Sequence, residues 1–287
     1  MNSKYAILLV GLVALTVMFS GCTSSSSAAE PGDIEVLTVY SCGGPTEALA
    51  EVNEVFMEKY NCEIKFIGAN AGMLETNLEN GAYADVFLPR TVVLSEKLTS
   101  LGLMNPDYKV YQFTDWVIVT PSGNPKNVST IEDLLNDDVK VYTNSKSSIP
   151  ALNAMASQSE TINVLYEKSA KDYDCYRKML SDIVVGNADA ALVERRCTTL
   201  ENGKLQMEGN IEVIDIPFEY MTPQIAIFSV GVMNYSEHVD LAYEYQEFVL
   251  SDEAAEILDA NGFIPVNSEK GQEIFTEYYP EYLSLNN

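Results

Sequence analysis

Regular alternation between β-rich runs and amphipathic stretches constrains this chain more than any other feature. Residues 34–40, IEVLTVY, form an apolar run rich in strand-forming side chains. Two glycines and a proline interrupt it, and residues 47–60 then set Leu49, Val52, Val55 and Phe56 on one helical face. A second run, 63–67, precedes a helical pattern that starts near Gly72 and stops at Asn80 and Gly81. A third, 84–88, precedes a helix over 92–101 closed by Gly102. Strands alternating with helices predict an α/β fold, with mostly parallel sheets covered by helices.

The pattern restarts at residue 115. Strands are expected at 115–120, 139–143, 189–193 and 211–216. A short helix opens at Ser129, another follows Pro150, and a third spans 173–185. A strand-like run at 225–233 leads to a helical tail with no sheet of its own, which fits as the completion of the first unit. The expected organisation is lobe I from residues 34–115 plus 225–287 and lobe II from 116–224. Two crossing strands, near 114–117 and 223–226, would make a hinge beside a cleft.

The N-terminus is a separate matter. Lys4 precedes an apolar stretch over 5–19 that ends in Phe19, Ser20, Gly21 and Cys22. A charged start, an apolar middle and small residues at a cleavage point read as a signal peptide over 1–21. The residues before Cys22 resemble a lipobox, which makes Cys22 the expected lipid attachment point, and residues 22–33 a flexible tether. The alternative is an uncleaved anchor. Either reading places the rest of the chain at the extracytoplasmic face of the membrane.

Composition excludes more than it selects. A formal net charge of −25 argues against nucleic acid as a partner. His238 is the only histidine and lies far in sequence from every glycine-rich turn, so triad chemistry and histidine-based metal sites have little to work with. There is no P-loop and no dinucleotide fingerprint. No catalytic residue, cofactor or resident metal is expected. Beyond Cys22, the cysteines Cys42, Cys62, Cys175 and Cys197 allow two disulfides in three connectivities. Cys175 and Cys197 flank one expected strand, so a pair, if any forms, is expected there.

Three strand-to-helix junctions carry the functional signal: Gly43 to Thr46, Ala69 to Met73, and Ser147 to Ala151. The first amides of a helix have no partner within it, and the peptide dipoles add positive potential, so several such ends facing one cleft can hold an anion. Each junction alone is equally an ordinary turn.

At these junctions the chain resembles the periplasmic molybdate-binding proteins of ABC transporters, which are type II solute-binding proteins. The resemblance covers residues 35–266. It rests on PTEALAEVNEVFMEKY, NGAYADVF, DWVIVTPSGNPKNVSTIEDL, SSIPALNAM, VVGNADAALV, IDIPFEYMTPQIAIFSV and AYEYQEFVLSDEAAEILDANGFIPV. It implies a two-lobe type II periplasmic-binding-protein-like fold and capture of an oxyanion, molybdate or tungstate favoured. Delivery to a permease and its ATPase by a monomeric lipoprotein is implied as well. The alternatives are the same fold with another oxyanion or a charged organic solute, or a surface sensory or interaction lipoprotein without transport.

The resemblance also implies a ligand set, with departures. The family's first-loop serine falls on Gly44, between Gly43 and Thr46, and its second-loop serine falls on Ala71 or Gly72. The Pro-Ala pair of the third loop is Pro150 and Ala151, with Ser148 beside it. A later contact falls near Tyr176. A contacting tyrosine is replaced by Glu194, followed by Arg195 and Arg196, and Arg90 is new in ADVFLPRT. Glu194 near an oxyanion is repulsive unless it is protonated, ion-paired or used as a ligand.

Overall fold

The computed structural model describes residues 34–144, 157, 159–169, 171–173, 176–199, 209–220 and 227–286. The strands are β1 (Val36–Cys42), β2 (Glu63–Ala69), β3 (Val86–Leu88), β4 (Lys109–Phe113), β5 (Trp116–Pro121) and β6 (Val141–Asn144). They continue with β7 (Lys171–Tyr173), β8 (Ala190–Glu194), β9 (Ile211–Asp215), β10 (Ile227–Val232) and β11 (Ile264–Pro265). The helices are α1 (Thr46–Tyr60), α2 (Ala71–Glu79), α3 (Val92–Ser100), α4 (Glu160–Lys168), α5 (Tyr176–Val184), α6 (Val239–Val249), α7 (Asp252–Ala260) and α8 (Glu269–Tyr278).

These form two mixed sheets, ordered β11-β4-β10-β3-β1-β2 and β7-β6-β8-β5-β9. Each has a parallel half and an antiparallel half. The strands β2, β1 and β3 run parallel, and so do β7, β6 and β8, whereas β10, β4, β11, β5 and β9 pair antiparallel with their neighbours. The chain passes from the first sheet to the second at Thr114 and Asp115. It has returned by Ile227, so β10 and β11 of the tail join the first sheet.

Local sequence explains most elements. The apolar stripe of α1 buries Leu49, Val52 and Phe56 completely, and Phe56 meets Tyr245 of α6 edge-on at 5.1 Å between ring centroids. The side chains of Asn70, Ser251 and Ser268 accept from the third residue onward at the starts of α2, α7 and α8. Asn61 ends α1 in the left-handed conformation, φ 51°.

Several elements differ from the sequence expectation. The strand β4 and helices α4 and α8 were not anticipated. In β4, KVYQF, the last four residues are all buried, so the polar–apolar alternation that marks a half-exposed strand is missing. The expected helix over 173–185 begins at Tyr176, and Lys171–Tyr173 pairs instead with β6 as an edge strand. The helix expected from Ser129 is a single 3-10 turn, Glu132–Leu135, with Asp133 accepting from the Ser129 and Thr130 amides. The signal and tether over 1–33, with Cys22, lie outside the described residues, as does the helix expected after Pro150. Among the described residues, no helix is long and apolar enough to cross a membrane.

Candidate functional site

The carboxyl ends of β1, β2 and β3 lie side by side. Cys42 pairs with Ala69, and Ser41 pairs with Leu88. The parallel register therefore brings Gly43 and Gly44, Asn70 to Gly72, and Pro89 to Arg90 to one sheet edge. Ligands of open α/β sheets bind beyond that edge. No side chain caps the start of α1, so the first-turn amides of a fifteen-residue helix face outward there. At α2 the Asn70 carboxamide takes the Met73 amide at 3.2 Å, leaving the Ala71 and Gly72 amides at the tip.

The second sheet contributes from the end of β8. Glu194 is fully buried and lies opposite Trp116 of β5. One of its oxygens accepts from Arg90 Nη2. The other accepts from Arg196 Nε at 2.8 Å and is paired with Nη2 at 2.7 Å. Arg90 comes from the loop after β3, so this cluster joins the two sheets. Its guanidinium also lies 5.6 Å from the Trp116 ring centroid and 5.4 Å from that of Phe228, within cation–π range. Burial pushes the Glu194 carboxyl up, but Arg196 and Arg90 outweigh it and hold the group at about 2.

Both guanidiniums lie over the first loop. A Cβ on Gly44 would stand 3.6 Å from Arg196 Nε and 3.7 Å from Arg90 Nη1. Beside Gly44 is a recess of about 20 Å³, walled by Glu47 and Ala48 of α1, Arg196 and Thr199 after β8, and Asn261 and Phe263 of the tail. That is room for about one water-sized group. The tail closes against the second sheet here, since Thr199 Oγ1 donates to Asn261 O at 2.9 Å.

The structure thus brings Gly43, Gly44, Arg90 and Glu194 together, with Ala71 and Gly72 on the same edge. It gives Thr46 another task. The Thr46 hydroxyl donates to Gly43 O at 3.0 Å and packs on Gly68, so it braces the loop. Arg195 points elsewhere, to Asp115 and Asp215 at 2.8 and 2.7 Å. Ser148, Ala151 and Cys175 lie outside the described residues, and the Tyr176 side chain is not described. Cys42, Cys62 and Cys197 are buried and none forms a disulfide, so the pair expected between Cys175 and Cys197 is not made; burial pushes the Cys42 thiol up to about 11. Sequence reading missed Thr199, Asn261 and Phe263, which no local motif marks. It placed Arg196 only as a neighbour of Glu194. Arg196 lies in the 3-10 turn Arg195–Thr198 that follows β8, so no strand alternation marks its pairing with Glu194.

Comparison with known proteins fits this geometry. The profile of the bacterial extracellular solute-binding protein family matches residues 37–264. YvgL of Bacillus subtilis, named as an ABC transporter substrate-binding lipoprotein, is 24% identical over 92% of this chain and 99% of its own. The molybdate-binding protein ModA of Mycobacterium tuberculosis is 22% identical over 90% of this chain and 94% of its own. Among solved structures, the substrate-binding domain of a molybdenum ABC transporter from Clostridium difficile superposes with a TM-score of 0.67. It is 22% identical and covers 80% of this chain and 98% of that one. The sulfate-binding protein SubI of M. tuberculosis gives 0.62 at 16% identity, over 84% and 91%. The fold is the two-lobe, type II periplasmic-binding-protein fold. Its relatives bind solutes and are not enzymes. With the family profile spanning both sheets and the loops that meet between them, the chain belongs to the bacterial extracellular solute-binding proteins.

Proposed function

We propose that this protein is the substrate-binding lipoprotein of an ABC importer, capturing a small oxyanion, molybdate or tungstate favoured. The observation that carries this reading is the convergence on one edge of the uncapped start of α1, the Ala71 and Gly72 amides and the guanidiniums of Arg90 and Arg196. That arrangement supplies positive potential and donors to an anion. The names of ModA and of the C. difficile domain support molybdenum oxyanions, and that of SubI keeps sulfate in the test.

In this reading residues 34–115 plus 225–287 and residues 116–224 act as two lobes that close on the ligand. The loop at 147–151, with Ser148 and Ala151, and the start of α5 at Tyr176 complete the far wall. Cys22 carries the lipid, and the monomer hands its ligand to a permease and ATPase. Calorimetry and thermal shift with molybdate, tungstate, sulfate and phosphate test the oxyanion. Ligand at a hundredfold over its dissociation constant should add about 2.7 kcal/mol to stability. A flat response to all four refutes oxyanion capture. Mass analysis of the membrane fraction showing an unmodified Cys22 refutes the anchor.

A further inference from the structure

We infer that the ion pair between Arg90 and Glu194 is a latch across the two lobes, which holds the cleft shut before a ligand arrives and has to part to admit one. The inference rests on the two-lobe reading above and not on which anion is captured. The two units meet tightly around the recess. Arg90 stands in the loop after β3, at the edge of the first sheet, and its Nη2 donates to Glu194, the last residue of β8 in the second. At the recess, Thr199 Oγ1 donates to Asn261 O at 2.9 Å. Gly262 leaves no slack there, since a Cβ on it would lie 2.9 Å from Thr199 Oγ1 and 3.0 Å from Arg196 Cα. Asn261 and Gly262 belong to the tail, whereas Arg196 and Thr199 follow β8, so each of these contacts joins one lobe to the other.

Little space remains between the lobes. The recess of about 20 Å³ has room for about one water-sized group. A tetrahedral oxyanion carries its oxygens around a central atom and does not fit there, so the lobes have to separate before one enters. Among the contacts that resist separation, the charged pair is the strong one, because an ionised donor meets an ionised acceptor. It is also sheltered: the Glu194 side chain is 0% exposed and that of Arg90 19%, so salt screens the pair little. Yet Arg90 Nε is buried with no hydrogen-bond partner among the described residues, and a buried donor left unpaired is costly. The shut position therefore satisfies this guanidinium only in part. When the lobes part, Glu194 keeps Arg196, which lies in its own lobe and donates to it from Nε at 2.8 Å. Arg90 is freed, and an oxyanion with two negative charges takes the place of a carboxylate with one. The latch lowers the fraction of molecules ready to bind, and the apparent affinity falls with that fraction.

The test begins without ligand. Small-angle X-ray scattering of the mature chain reads the separation of the lobes, and acrylamide quenching of Trp116 reads access to the indole under Arg90. The proteins are wild type, Glu194→Gln and Glu194→Asp, and melting curves check that each is folded. Glu194→Asp keeps the charge and shortens the reach by one methylene, so it separates a latch from plain repulsion between Glu194 and an anion. Wild type is expected to be compact with its tryptophan shielded. Both variants are expected to show a larger radius of gyration and stronger quenching. Calorimetric titration with sodium molybdate is then expected to give binding at least about tenfold tighter for both variants than for wild type. If the ligand-free variants scatter as wild type does, the latch is overturned, whatever the titrations show. If only Glu194→Gln binds more tightly, repulsion accounts for the gain and the latch is likewise overturned. If both variants expand while no protein binds molybdate, tungstate, sulfate or phosphate, the latch stands and the oxyanion reading falls.

Discussion

Glu194 makes a prediction whose size follows from its surroundings. Replacing it with Gln keeps the shape of the side chain but leaves Arg90 and Arg196 against a neutral amide. The carboxyl is held at about 2 in the folded protein against 4.5 for an unperturbed glutamate. At about 1.4 kcal/mol for each pH unit between those values, the ionised form contributes about 3 kcal/mol at neutral pH. The same magnitude is expected for breaking a buried ion pair from one side, about 3–5 kcal/mol. The folded value lies below the unfolded one, so the contribution is fully present above about pH 4.5 and is lost as pH falls towards 2. Urea denaturation followed by far-ultraviolet circular dichroism at pH 7, 5, 4 and 3 should show Glu194→Gln less stable by about 3 kcal/mol at pH 7. By pH 3 the gap should narrow to about 1 kcal/mol, because wild type has lost most of the same contribution. A deficit that stays constant across this range, or one near zero at pH 7, refutes the account of Glu194 as an ionised group stabilised by two guanidiniums.

Two further outcomes follow from close contacts. A Cβ at Gly68 would lie 2.6 Å from Thr46 Oγ1 and 2.8 Å from its Cγ2. Gly68→Ala should therefore destabilise by about 1–3 kcal/mol in chemical denaturation, and adding Thr46→Ala should recover part of that loss. The Asn286 carboxamide accepts from Val110 N at 2.9 Å and donates to Val110 O at 2.7 Å, acting as one more rung on β4 beyond the short β11. Asn286→Ala should cost about 1–2 kcal/mol and raise amide exchange at Val110.

The parts legible in the sequence were those with a local signature. The apolar stripe of α1 and the first strand both occupy the places that their periodicity marks. The tail joins the first sheet through β10 and β11, as its lack of partners of its own suggested. The strand β4 was not legible because burial on both faces erases alternation. The edge strand β7, Lys-Asp-Tyr, is too polar and too short to announce itself. At the site, Gly43 and Gly44 could be found from the break between strand and helix. The company they keep could not, because Arg90 and Glu194 are 104 residues apart and meet only when the two sheets pack. Of the three states that would make Glu194 tolerable beside an anion, the packing shows ion pairing. The Glu194 oxygens face two arginines. The choice among Arg90, Arg195 and Arg196 as partners depended on the 3-10 turn after β8, which sends Arg195 to Asp115 and Arg196 to Glu194, and on the packing that brings in the loop after β3.

Trp116 gives this arrangement an optical reporter. It is the only tryptophan in the chain, it is fully buried, and it stands where the first crossing between sheets becomes β5, with the Arg90 guanidinium over its ring. Its emission arises from one environment and needs no correction for other indoles. Any shift of the Arg90 guanidinium relative to the ring alters the local field on the excited indole, and unfolding moves the indole into water. The natural chain therefore carries a spectroscopic probe at the joint between its two sheets. Rearrangement of the Arg90 cluster and global unfolding can be followed as two separate changes in the light from a single residue.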